Sequence, residues 1–393
     1  MRRRRTPRFI PLELLVLVAA LAACALPALA LAGSHARHAQ RAQPMLLGVM
    51  DDALFEGNLD QAIADSTDLH PQIVRYDLNW SAVAPTKPAN GRDPDDPAYQ
   101  WAPVDAIVSR LAEISVPVML TIEVTPGWAG GGSHGRRAPK NMSALEEFSF
   151  AAATRYSGQH VAPVSGVVLP LVSRWEAWSE PNFVGHLTPQ YSCNCKRAVA
   201  VSPNTYVRML AAIYRGVHDA GSAVGVTETV AAGATKPGGL NTKEEIAPLR
   251  FIRLLAQKKA RFDVYSHHPY RVSAGGKKLG PDDVDFSNLP ALTKQLDKSF
   301  PGRRFHLWIT EYGRESAPDT FYGVSVEKQA QTLRANVAKV RANPRIDMLI
   351  WYHINDEAGQ SVGNGIVRGF QTGLAYASGT RKPSWDVFRA LAR

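Results

Sequence analysis

Two glutamates carry the chemistry that this sequence offers most clearly. Glu180 stands in WEAWSEPN and Glu311 in LWITEYG, each just past a short apolar or β-branched run. Such runs read as strands, so both carboxylates belong to strand ends. Two carboxylates in one cleft can divide acid–base work if their surroundings push their pKa values apart. One stays protonated and gives a proton to a leaving oxygen. The other stays ionised and attacks or stabilises a cationic carbon. Cleavage of a glycosidic bond needs that pair. Arg75, in IVRYDLNW, is a cation able to hold a neighbouring carboxylate ionised. Aromatic rings, which suit the apolar faces of sugars, follow other strand candidates: Trp80, Trp128 in TPGWAGGG, Tyr270 beside His268 in DVYSHHPY, and Trp351 in LIWYHINDE. Glu176 reads as a supporting carboxylate. His267 is expected to point away from His268, because neighbours alternate along a strand. Trp175, Trp308 and Trp385 read as packing.

These residues need a scaffold that brings strand ends together. Strand-like runs occur at Met45–Met50, Ile73–Leu78, Val116–Ile122, Ser173–Trp178, Ala223–Glu228, Phe262–Ser266, Phe305–Thr310 and Met348–Tyr352. Helical periods lie between them, as in Ala102–Ser115, where Val104, Ile107, Val108, Leu111 and Ile114 share a face. Pro203–Ala220, Val324–Ala342 and Ser384–Leu391 are further helix candidates. Eight alternating units with no β-only section predict a parallel sheet with helical crossovers. An open doubly wound sheet fits the alternation too, but the first strand runs into DDALFEG instead of a Gly-rich phosphate turn. The expectation is therefore a single α/β domain, a (β/α)8 barrel over residues 45–393, with its site in the loops after the strands.

With these residues in place, the chain resembles the clan A glycoside hydrolases, the (β/α)8 group that includes families 5 and 39. The resemblance implies that Glu180 is the acid/base after strand 4 and Glu311 the nucleophile after strand 7. It implies that Arg75 contacts the nucleophile, that His268 and Tyr270 line the sugar site, and that Trp351 is the strand-8 platform. The C-terminal GLAYASGTRKPSWDVF is similar to the closing segment of that clan. One position departs from the pattern. The clan has Asn just before the acid/base, where it contacts the sugar 2-hydroxyl; here the residue is Ser179. Trp80, Trp128, Ser179 and Asn182 complete the expected substrate-binding set. The implied activity is retaining O-glycoside hydrolysis of a carbohydrate substrate. A non-catalytic glycan-binding barrel, prompted by Ser179, and a transglycosylase acting on a cell-surface glycan are the alternatives. No cofactor is expected, and no metal, because no H-x-H or comparable ligand pair stands at the strand ends.

Composition sets outer bounds. The 393 residues are 45% hydrophobic and 20% charged, which excludes disordered, collagenous and coiled-coil classes. The net charge of +10 is scattered, apart from Arg2, Arg3, Arg4, Arg5 and Arg8, and forms no stripe for nucleic acid. That arginine cluster precedes an apolar run, Leu14 to Ala32, so residues 1–32 read as an export signal or a membrane anchor. Leu21-Ala22-Ala23-Cys24 also resembles a lipoprotein box. Residues 33–44 read as a polar linker, and the body as exported: secreted, or tethered outside the cytoplasmic membrane. Cys193 and Cys195 read as a local loop clasp in preference to a metal site.

Overall fold

A computed structural model describes residues 45–132, 134–239, 241, 243–272, 278–363 and 366–393; the expected export segment 1–32 and linker 33–44 lie outside the described residues. Eight parallel strands close into a barrel in sequence order. They are β1 Leu46–Met50, β2 Val74–Asn79, β3 Val118–Glu123, β4 Arg174–Ala177, β5 Thr229–Thr235, β6 Val264–His267, β7 Leu307–Tyr312 and β8 Ile346–Tyr352. β1 closes the ring against β8, from Leu46 opposite Met348 to Met50 opposite Tyr352. Helices supply the crossovers, which is the (β/α)8 arrangement. No helix among the described residues is long and apolar enough to cross a membrane.

The strands alternate between two apolar environments. Met50, Met119, Val264, Trp308, Met348 and Ile350 form a small cluster inside the barrel. Leu47, Val74, Tyr76, Leu120, Ile122, Leu307 and Ile309 belong to the larger core under the helices. On the helix Ala102–Glu113, Val104, Ile107, Val108 and Leu111 are the buried face, at the spacing that the sequence predicts. Cys193 and Cys195 are joined by a disulfide within one loop.

The fifth strand lies elsewhere than the sequence predicts. Ala223–Glu228 is not a strand. The helix Ser202–Val224 runs through its start and ends on Gly225 in the left-handed conformation. The strand is the next run, TVAAGAT, whose small side chains give little apolar or β-branched signal.

That strand also carries a functional bend. Gly233 has φ +111, and a Cβ there would lie 2.6 Å from the Ser266 carbonyl oxygen. The register of β5 against β6 shifts between Ala232 and Thr235. The bend presents the Ala234 carbonyl to the Glu180 N–H at 3.0 Å. Replacing Gly233 by Ala is expected to destabilise the fold by about 1–3 kcal/mol through overpacking and strain. Urea denaturation would show this as a lower midpoint with an unchanged slope.

Candidate active site

The mouth of the barrel is organised by one buried cation. Arg75 points inward from β2 and is fully buried. Its Nε donates to Glu176 Oε2 at 3.0 Å and to Thr121 Oγ1 at 2.9 Å. Its Nη1 donates to Glu311 Oε1 at 2.9 Å and lies 2.9 Å from Met50 Sδ. Its Nη2 is 2.9 Å from Asp77 Oδ1. Glu176 is thus the supporting carboxylate that the sequence suggests. Burial alone would push the Arg75 guanidinium down, but Asp77, Glu176 and Glu311 outweigh it and hold it well above its ordinary value.

Glu311 lies at the end of β7, where the register against β8 shifts between Ile309 and Tyr312. Besides Arg75, it accepts from the Tyr270 hydroxyl at 3.1 Å on Oε2. Glu180 follows β4 with φ +37, anchored through its N–H to the β5 bend. The two carboxylates meet at one ring nitrogen. His268 Nδ1 is 3.2 Å from Glu180 Oε1 and 3.5 Å from Glu311 Oε2. Their nearest oxygens can therefore be no further apart than those two distances end to end. Both side chains keep a little exposure, 15% and 14%, so a ligand can reach them. His267 turns away, with its ring nitrogens on Thr235 Oγ1 and the Val284 carbonyl. Burial pushes the His267 imidazole down to about 3.

The surroundings shift the two carboxyls in opposite directions. Burial pushes the Glu311 carboxyl up, helped by the charges of Glu180 and Asp77, while His268 and Arg75 hold it back. Burial also works against the charged form of Glu180, but the hydrogen bond and charge of His268, with His186 and Lys236 beyond, bring Glu180 below its ordinary value. His268 answers in the other direction. Burial opposes the imidazolium, and the Glu311 and Glu180 carboxylates override it and raise His268. The opposite shifts favour a Glu180 carboxylate beside a His268 imidazolium, with one proton between the two groups.

A second acid group lies on the β2–β3 side. Asp77 and Glu123 are inward positions, and Asp52 Oδ2 accepts from the Asp77 N–H at 3.2 Å. Burial and the charge of Asp77 push Asp52 and Glu123 well above the usual carboxylate range. His186 bridges towards the catalytic pair, 4.0 Å from Glu123 Oε2 and 3.9 Å from Glu180 Oε2.

Arg75, Glu180, His268, Tyr270 and Glu311 thus come together, with Ser179 buried immediately before Glu180. Four expected substrate contacts lie elsewhere. Asn182 is buried, and its amide is spent on backbone: Nδ2 donates to the Lys236 and Ile246 carbonyls, and Oδ1 accepts from the Lys236 N–H. Trp80 is fully buried, stacked on Phe148 and edge-on to Trp128, so it offers no open ring face. Trp128 is half-buried against that core, its Nε1 donating to the Ala84 carbonyl at 2.7 Å. Trp351 points outward from β8 into the helix-side core, and its Nε1 donates to the Thr372 carbonyl. The inward ring of β8 is Tyr352, two residues past Ile350 and in contact with Tyr270 and Phe370. Period-two counting from Met348 and Ile350 would have found it. Asp52, Asp77, Glu123, His186 and Tyr352 are the site residues that the sequence reading missed.

No protein-family pattern matches the sequence, and no curated protein matches it. Solved structures do. A family 39 glycoside hydrolase from Bacteroides cellulosilyticus WH2 matches over 89% of this chain and 64% of its own, with a TM-score of 0.62 at 18% identity. A glucosidase from Croceicoccus marinus matches over 89% and 67%, with a TM-score of 0.61 at 15% identity. A family 5 subfamily 18 enzyme from Bifidobacterium longum subsp. infantis matches over 89% and 79%, with a TM-score of 0.55 at 14% identity. The chain thus spans under two thirds of the length of the first of these. At these identities the likeness is one of fold, and the fold is the one shared by families 39 and 5.

The proton sharing has a measurable consequence. His268, raised above its ordinary 6.5, contributes stability in full below that value and loses it as pH rises through the folded value. Glu180, held below its ordinary 4.5, contributes above that value and loses it as pH falls. The pair therefore stabilises most between those limits. Substituting Glu180→Gln is expected to return the His268 titration, read by NMR of the ring nitrogens, towards or below 6.5. It is also expected to flatten the melting-temperature profile across that window.

Proposed function

We propose that this protein is an exported retaining O-glycosidase in which Glu311 is the nucleophile and Glu180 the acid/base. The observation that carries the reading is the convergence of both carboxylates on His268 Nδ1, with two further donors, Arg75 and Tyr270, aimed at Glu311 alone. Burial raises Glu311, and against it His268 and Arg75 favour the ionised form that a nucleophile needs. The shared contact with one ring nitrogen is compatible with the ~5–5.5 Å of a retaining arrangement. Export rests on the arginine cluster and apolar run of residues 1–32.

In the first step a Glu311 oxygen attacks the anomeric carbon as the glycosidic C–O bond breaks. The leaving oxygen takes the proton held by the Glu180–His268 pair. The pair is left as carboxylate and neutral imidazole. In the second step the pair takes a proton from water, the water oxygen attacks the anomeric carbon, and the bond to Glu311 breaks. Asp52 and Glu123, kept towards their protonated forms, are suited to hydrogen-bond sugar hydroxyls on the β2–β3 side. Ser179 stands where the resembled clan has the asparagine that contacts the 2-hydroxyl.

Incubation with a panel of 2-deoxy-2-fluoro glycosides is expected to leave a one-to-one adduct on Glu311 by mass spectrometry, absent in Glu311→Gln. Sugar binding with no adduct and no turnover would favour a glycan-binding barrel. The Glu180→Gln variant is expected to lose about 10²–10⁴-fold in kcat on glycosides with sugar leaving groups. It should lose far less on aryl glycosides, whose leaving groups need little protonation.

A further inference from the structure

Each helix-to-strand connection returns the chain to the N-terminal ends of the strands, the end of the barrel away from Glu180 and Glu311. The longest of these joins the helix Met142–Arg155 to β4. It forms a ribbon, bridged between Ser157 and Leu171 and between Val161 and Val168. The Gln159 side chain ties it to the Val224 carbonyl, at the last residue of the helix Ser202–Val224. Residues 157–173 contain no Asp, Glu, Lys or Arg. Ala162 and Leu169 turn inward and are buried, whereas Val161, Val164, Val167, Val168 and Leu171 are exposed, Val164 completely. These five are half of the ten exposed large hydrophobic side chains among the described residues. A patch of that kind on a water-facing surface marks an interaction site.

The same end carries exposed cations. Lys258, Lys259 and Arg261 lie in the connection to β6, and Arg303 and Arg304 in the connection to β7. The two connections touch, with Arg303 Nη2 donating to the Phe262 carbonyl at 3.2 Å. Between them they hold one acid, Asp263, which is paired with His218. Asp297 and Asp347 nearby pair with Arg345 and His306. The acids beside the ribbon are paired as well: Asp95 and Asp105 with Arg155, and Glu113 with Arg110. The chain also enters β1 at this end, 12 residues after the apolar run that closes at Ala32. A linker of that length reaches no further than about 40 Å. An apolar run held in a bilayer would therefore keep this end of the barrel near the surface.

We propose that the N-terminal end of the barrel docks on a bilayer with anionic headgroups. The ribbon enters the acyl-chain boundary, and Lys258, Lys259, Arg261, Arg303 and Arg304 lie over the headgroups. Exposed apolar side chains beside basic ones are the combination that binds such surfaces. The barrel mouth then faces away from the membrane, open to substrate. Of the proposed function this uses export alone, and the glycosidase chemistry plays no part in its test.

The test is fluorescence of the full chain in nanodiscs of mixed phosphatidylglycerol and phosphatidylcholine. Val164→Cys, in a chain carrying Cys24→Ser, gives one free thiol for an environment-sensitive dye, because Cys193 and Cys195 are paired. Val362→Cys, exposed in the loop after β8 at the opposite end, is the control. The dye at Val164 is expected to shift to the blue and to be quenched by spin-labelled lipid, and the dye at Val362 to do neither. Substituting Ser for Lys258, Lys259, Arg303 and Arg304 should weaken docking by about fivefold for each residue. About 0.5 M salt should weaken it too. Hydrogen exchange of the unlabelled chain excludes an effect of the dye: protection of residues 161–168 by anionic nanodiscs is expected, and its loss in Val164→Asp. Equal quenching at both sites, no quenching at Val164, or quenching unchanged in phosphatidylcholine alone would each overturn the proposal. A blue shift that grows with protein concentration in the absence of lipid would put a second copy of this chain on the ribbon and overturn it as well.

Discussion

A guanidinium with no exposure to water sits at the centre of the barrel mouth, and the geometry of the site follows from what it needs. Burying such an ion costs several kcal/mol unless its donors are matched. Glu176, Glu311, Thr121 and the Met50 sulfur accept from Arg75, and Asp77 pairs with its Nη2 by charge. Those partners come from β1, β2, β3, β4 and β7, so one side chain ties five strands of the barrel together at its active end. The planar fork also gives direction. The Nη1–Glu311 contact fixes one carboxylate oxygen, and the Tyr270 hydroxyl fixes the other. A carboxylate held at both oxygens has little freedom left to lose when a substrate arrives.

Glu180 is held differently, and the difference separates the two roles. Its backbone is pinned to the β5 bend through the Ala234 carbonyl, but its carboxyl faces only histidines and, further off, Lys236. The His268 imidazolium carries a proton it can give up, whereas the Arg75 guanidinium does not. One glutamate thus faces a permanent charge and the other a removable one. Against the effect of burial, the hydrogen bond and charge of His268 draw Glu180 below its ordinary value. On the proposed roles, a neutral sugar ring that excludes water from the mouth would weaken the charged form of that pair and favour the proton on the carboxyl.

That Glu180, Glu311, Arg75, His268 and Tyr270 meet at one mouth was legible because charged residues in apolar strand ends are rare and their spacing marks the strand ends. The aromatic contacts were not, for a geometric reason. In β2 the inward face is marked by Arg75, Asp77 and Asn79 against Val74, Tyr76 and Leu78. In β8 both faces are buried, so MLIWY carries no polar mark of its parity. A choice of Trp351 over Tyr352 is an error of one residue that turns the ring through the wall of the barrel. Trp80 and Asn182 were assigned by nearness to strand ends, yet each is consumed by local structure: Trp80 by the Phe148 and Trp128 rings, Asn182 by the loop that presents Lys236. The fifth strand was missed because alanine and glycine have no signature of their own. Their smallness is what allows the bend that holds Glu180.

The two sides of the cleft carry different groups, and the difference follows the chain. Asp52, Asp77 and Glu123 gather on the side of β1, β2 and β3, where burial and the charge of Asp77 favour the protonated forms of Asp52 and Glu123. Lys236, Arg271 and Arg314 line the side beyond β5, β6 and β7, and Glu245, Asp283 and Glu315 line it with them. Glu180, Glu311 and His268 lie on the seam. A substrate spanning the seam would meet buried acids at one end and a mixed set of charges at the other, so the two ends of the cleft are chemically distinct. On the proposed roles, a glycoside bound the wrong way round would present its anomeric carbon to Glu180 and its leaving oxygen to Glu311, and neither step could proceed.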